Sequence, residues 1–131
     1  MFDRYMICED TARNVSKDGK VIGFEFGARI AYYRGLGLSM VEDLAVVVDG
    51  EKIPRQQVRF TVAGRTFTLD DMETEYDARW EFGDVATVTV LKDGGLPAGA
   101  HKIELMEQLR VAYMPFPLTG RDSKTVAVAR R

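Results

Sequence analysis

Gly23–Ser39 reads GFEFGARIAYYRGLGLS, and its alternation decides the fold. Successive side chains of an extended strand point to opposite faces, so Phe24, Phe26, Ala28, Ile30 and Tyr32 form one apolar face. We read a strand over Lys20–Tyr33 whose core side carries these five. Gly23 and Gly27 weaken a strand interior, which predicts a bulge or a close backbone approach there.

Working outward, Gln108–Thr119 reads QLRVAYMPFPLT and echoes the first stretch. Arg29-Ile30-Ala31-Tyr32-Tyr33 and Arg110-Val111-Ala112-Tyr113-Met114 are close copies, each followed by an apolar loop. Matched period-2 patterns predict neighbouring strands in one sheet. Their loops meet at one site if the strands are parallel and lie at opposite ends if they are antiparallel. Exposed apolar residues in these loops suit a partner surface, so Tyr33, Arg34, Leu36, Leu38, Met114 and Phe116 are the candidate interface.

The remaining chain alternates strand patterns with turn signals every eight to twelve residues or so, the spacing of an antiparallel sandwich. Asp18-Gly19, Asp49-Gly50 and Ala63-Gly64 mark three tight turns, the last joining Val58–Val62 to Arg65–Leu69. Phe2–Cys8 reads as the first strand and Thr11–Lys20 as a connection. Leu44–Val48, Ala78–Phe82, Val85–Leu91 and His101–Tyr113 read as further strands, while Pro54 confines Glu51–Ile53 to an edge. Thr68 with Asp71 forms a capping-box pattern and predicts one or two helical turns. The fold class is therefore all-β: an antiparallel sandwich of about eight or more short strands with one short helix. The 131 residues suit one domain, read as residues 1–118, with a tail over 119–131 in which Val126–Ala129 has weak alternation.

Charge and donor count narrow the chemistry. A formal net charge of -2 gives no basic footprint for nucleic acid or an anionic membrane, and no run suits a bilayer crossing. The opening residues are too charged for a signal sequence, so the cytoplasm is the expected compartment. Cys8 is the single cysteine and His101 the single histidine, which predicts neither a disulfide nor a metal site nor a catalytic constellation in this chain. Cys8 reads as a small buried group, and His101 as a polar residue at a strand start. The acids Asp70, Asp71, Glu73, Glu75 and Asp77 lack a calcium-loop pattern and suit a solvated helix start. Among the aromatics, Tyr32, Tyr33, Trp80, Phe82, Tyr113 and Phe116 can furnish a stacking surface, although most read as core; Tyr33, Arg34 and Phe116 are placed outside.

Taken in order, FDRYMICEDTARNV, the block GFEFGARIAYYRGLGLSMVEDLAVVVDGEKIPRQQVRFTVAGRTFTLDDM, DARWEFGDVATVTV and LRVAYMPFPL resemble the small, or beta, subunit of bacterial C-glycoside deglycosidases. The resemblance spans Phe2 to about Leu118 and leaves the tail outside. It implies a non-catalytic or accessory β-sandwich subunit of a hetero-oligomer, paired with an alpha subunit that resembles TIM-barrel sugar isomerases. That partner is expected to hold the divalent metal, commonly manganese, and the acid/base residues. The complex would act as a carbon-carbon lyase on 3-oxo-C-glycosides, where the C3 ketone acidifies the C2 proton and the aglycone then leaves C1. Two other readings stay open: a stand-alone carbohydrate-binding sandwich, and an accessory subunit of another sugar isomerase-like enzyme.

Overall fold

The computed structural model describes residues 6–32, 35–111 and 115–128. Two antiparallel sheets form a sandwich. The strands are β1 (Ile7–Lys17), β2 (Lys20–Ala28), β3 (Leu36–Gly37), β4 (Val41–Val48), β5 (Glu51–Lys52), β6 (Val58–Val62), β7 (Arg65–Thr68), β8 (Arg79–Trp80), β9 (Ala86–Leu91), β10 (Gly99–Leu109) and β11 (Leu118–Val128). One sheet runs β1-β2-β9-β6-β7, the second runs β11-β10-β4-β5, and β3 pairs with β8 in a small ribbon. Helix α1 spans Leu69–Met72.

The inward parity of each strand builds the core. Phe24 and Phe26 of β2, Val58 and Phe60 of β6, and Val88 and Val90 of β9 face Leu44 and Val46 of β4 and Ile103 and Leu105 of β10, all buried. The core parity holds at Phe24, Phe26 and Ala28; the strand read to Tyr33 ends at Ala28, and beyond it Ile30, Ala31 and Tyr32 are all buried, so alternation no longer applies. Trp80, fully buried, meets the Phe60 ring edge-on at 4.9 Å between centroids.

The predicted turns form. Asp18-Gly19, Asp49-Gly50 and Ala63-Gly64 all have positive φ at both residues, matching the twist of the strands they join. Thr68 and Asp71 make the reciprocal capping box that starts α1. At Gly23 a Cβ would stand 2.1 Å from the Val90 carbonyl oxygen, so glycine there permits the close approach of β2 to β9.

Three readings change. Thr11–Lys17 is not a connection but most of β1, which bulges against β2 between Cys8 and Arg13. Its polar composition follows from its position on a sheet edge, where one flank faces water. Residues 119–128 of the expected tail form β11 with Leu118: the strand pairs with β10 along its whole length and buries Val126 and Val128. Its inward parity carries Gly120, Asp122 and Lys124 before Val126 and Val128, which hid this half-buried strand. Finally, the strands that lead into the twin segments are not neighbours in one sheet. β2 ends at Ala28 and β10 at Leu109, in opposite sheets, because each ladder stops before the repeated motif develops.

Candidate functional site

The described starts of the two repeated segments nevertheless both lie near the end of β10. After β2, Arg29 donates its N–H to the Met6 carbonyl at 2.8 Å, and Ala31 donates its own to Glu107 Oε1 at 2.8 Å. Glu107 is fully buried, on the inward parity of β10 beside Leu105 and Leu109. A Cβ on Gly120 of β11 would lie 2.5 Å from the Ala31 Cβ, so glycine lets this segment press onto the second sheet. Beyond β10, Arg110 donates its N–H to the Met40 carbonyl at 2.8 Å. Ala31 and Met40 thus both meet the end of β10.

A ribbon extends from it. Residues 35–40 run beside 75–81, joined by the β3–β8 pair and by N–H donation from Leu38 to the Ala78 carbonyl and from Ser39 to the Glu75 carbonyl. Leu38, Ala78 and Trp80 point into the core, whereas Tyr76 and Phe82 are exposed. Between the ribbon, α1 and the end of β10 lies a groove of about 550 Å³, lined by Met40, Glu42, Glu73, Tyr76, Gln108 and Arg110, among others. Glu42 accepts from Gln108 Nε2 at 3.1 Å and from Arg110 Nε at 2.8 Å, and a second guanidinium nitrogen of Arg110 reaches the same carboxylate. The Gln108 hydrogen bond, then that of Arg110, lowers the Glu42 pKa and holds it ionised.

The candidate interface residues divide. Phe116 is 60% exposed, as placed. Leu36 is half-buried and pairs with Trp80 in the ribbon. Leu38 is a correction: it is completely buried, because the 3₁₀ turn Leu38–Met40 rotates its side chain into the core. Tyr33, Arg34 and Met114 lie outside the described residues, as does Tyr113. Sequence reading missed Glu107, Glu42 and the exposure of Tyr76. An acid on the inward parity of Ile103, Leu105, Glu107 and Leu109 was the available signal for the first.

The acids of the helix region are taken up locally. Asp70 and Glu73 pair with Arg55, Asp71 caps α1, and Glu75 accepts from the N–H groups of Ala78 and Asp77 and from Arg65. Those backbone hydrogen bonds, Ala78 first, lower the Glu75 pKa. Among the described residues no group of three or more His, Cys, Asp or Glu side chains is arranged to hold a metal ion. Cys8 is half-buried, and desolvation raises its pKa. His101 bridges the Asp49 carboxylate at 2.6 Å and the Pro97 carbonyl at 2.7 Å, staking β10 to the β4–β5 turn.

The profile of the C-glycoside deglycosidase beta subunit matches residues 2–113. The chain belongs to this family. It is similar to a C-glycoside deglycosidase beta subunit of Eubacterium cellulosolvens, 32% identical over 104 residues that cover 79% of this chain and 71% of that one. A protein of the same name from Arthrobacter globiformis is 31% identical over 110 residues, covering 83% of each chain. A 3'-dehydrocarminate deglycosidase beta subunit of a Microbacterium species is 34% identical over 93 residues, 71% of this chain and 70% of that one. The matched C-glycoside deglycosidase region contains the groove, the ribbon and most of the sandwich. The family name designates one subunit of an assembly with an alpha subunit. Among the described residues no helix is long and apolar enough to cross a membrane.

Proposed function

We propose that this protein is the accessory beta subunit of a lyase in which a TIM-barrel, sugar isomerase-like alpha subunit carries the chemistry. The observation that carries this reading is the family match over residues 2–113, joined by relatives named as beta subunits of C-glycoside deglycosidases. The substrate class is a 3-oxo-C-glycoside, and the name of the Microbacterium relative, with its 3'-dehydro sugar, supports a ketone at that carbon.

The chemistry is assigned to the partner. A ketone at C3 acidifies the C2 proton; once a base takes it, the electron pair left at C2 forms the C1–C2 double bond, and the aglycone carbon leaves C1 with its bonding pair and is protonated. A divalent metal, manganese as the expectation, belongs to the alpha subunit and supplies charge stabilisation when bound. The present chain contributes a docking surface. Tyr33, Arg34, Met114 and Phe116, with the half-buried Leu36, are its proposed partner-facing residues; Glu107 holds the neighbouring Ala31, and Arg110 donates to Met40. Loops of the alpha subunit would order against them.

Co-expression with an isomerase-like alpha protein tests this. The expected result is a mixed complex that cleaves a 3-oxo-C-glycoside only with metal, each chain alone being inactive. Full activity of the alpha protein without this chain would overturn the reading.

A further inference from the structure

Resting on that reading, we infer that the outer side of the ribbon and its adjoining groove form a second docking element for the alpha subunit, one that receives a basic segment of it. The large exposed apolar side chains among the described residues are Tyr76, Phe82, Val85 and Phe116. Three of these fall within 75–85 and the fourth in the loop that follows β10. Scattered exposed apolar groups need no explanation, and Val85 lies apart, against β1 and β2; Tyr76 is the one that stands on the groove, beside charged side chains.

Tyr76 is the best anchor. It is 76% exposed, stands on the groove wall, and offers an amphipathic ring with few rotamers to freeze on binding. The chemistry of the occupant follows from charge. The cations of this region, Arg55, Arg65, Arg79 and Arg110, are already engaged by carboxylates: Arg55 with Asp43, Asp70 and Glu73, Arg65 with Glu75, Arg79 with Glu81 and Arg110 with Glu42. Glu73 remains 65% exposed on the groove wall, and Asp71 and Asp77 lie exposed on the same segment. The surplus is negative, so the complementary surface is cationic, and an arginine that lays its plane on the Tyr76 ring and its fork on Glu73 satisfies both features.

The test is titration calorimetry of this chain with its alpha subunit, for the native protein, Tyr76→Ala and Glu73→Lys. Thr125→Ala, on the exposed parity of β11, is the control. Both groove substitutions are at exposed positions, and circular dichroism of each variant checks that it folds. We expect Kd to rise at least about tenfold for each groove variant, to stay unchanged for the control, and to weaken as salt is raised. Tight binding that ignores both groove substitutions overturns this inference and leaves the subunit reading standing. No binding by the native chain overturns both.

Discussion

The buried carboxylate of Glu107, on β10 of one sheet, accepts the backbone N–H of Ala31 at 2.8 Å from the segment that leaves β2 of the other. This one bond crosses the sandwich and sets where the chain toward residue 33 begins. A charge-capable group on a core parity is costly to bury, so its hydrogen bonds must be made. Glu107→Ala removes the acceptor and opens a void, and we expect a loss of about 2–3 kcal/mol in urea unfolding. Glu107→Gln keeps an oxygen for Ala31 and should lose less. Equal stability of the native and alanine proteins would show that the bond contributes nothing.

His101 is the only histidine, so its imidazole can be followed by NMR without ambiguity. Both ring nitrogens face oxygen acceptors, Asp49 Oδ2 and the Pro97 carbonyl, an arrangement that only the doubly protonated ring satisfies. The Asp49 bond, then that to Pro97, raises the His101 pKa above 6.5, while the His101 bond lowers that of Asp49 below 3.8. The raised histidine contributes stability that is fully present below pH 6.5 and is lost as pH rises through its folded value. The depressed aspartate contributes stability above pH 3.8 that is lost as pH falls through its folded value. His101→Gln should therefore cost stability between those limits and little at alkaline pH. An imidazole midpoint at or below 6.5 would contradict the geometry.

Ala63 occupies the first turn position between β6 and β7 with φ of 53°, a region that disfavours a Cβ. Ala63→Gly or Ala63→Asn should raise stability by about 0.5–1 kcal/mol in thermal or urea unfolding, because the turn geometry is already set. Destabilisation by Asn would mean that the turn differs from this one.

Gly23→Ala should do the opposite. The new Cβ would meet the Val90 carbonyl at 2.1 Å, with backbone on both sides and no flexible side chain to give way. We expect a loss of at least about 2 kcal/mol, or failure to fold, read from the yield of soluble protein and its unfolding midpoint. A native-like midpoint would show that β2 and β9 can separate.

Much of the sandwich was legible because its strong signals are local. The parity of Phe24, Phe26 and Ala28, the three positive-φ turns and the Thr68 capping box each depend on a few adjacent residues. What escaped depends on distant ones. β11 carries few apolar residues and owes its existence to β10 beside it, and Leu38 is buried only because a 3₁₀ turn rotates it. The likeness of the twin motifs suggested pairing within one sheet, yet sequence similarity does not fix which edges meet. At the site, Phe116 stood out as an apolar loop residue, whereas Tyr76 fitted a helical spacing and α1 ends at Met72 before reaching it. Glu42 and Arg110 lie far apart in sequence, and only the register of β4 on β10 unites them.

The central claim is that this chain works as one part of a two-component enzyme. Size exclusion coupled to light scattering, on the chain alone and mixed with an alpha protein, tests that most directly. The account predicts a single mixed species, formed without substrate, that gains metal-dependent cleavage of a 3-oxo-C-glycoside. Two separate peaks at micromolar concentration, with cleavage by the alpha protein unchanged by this chain, would contradict it.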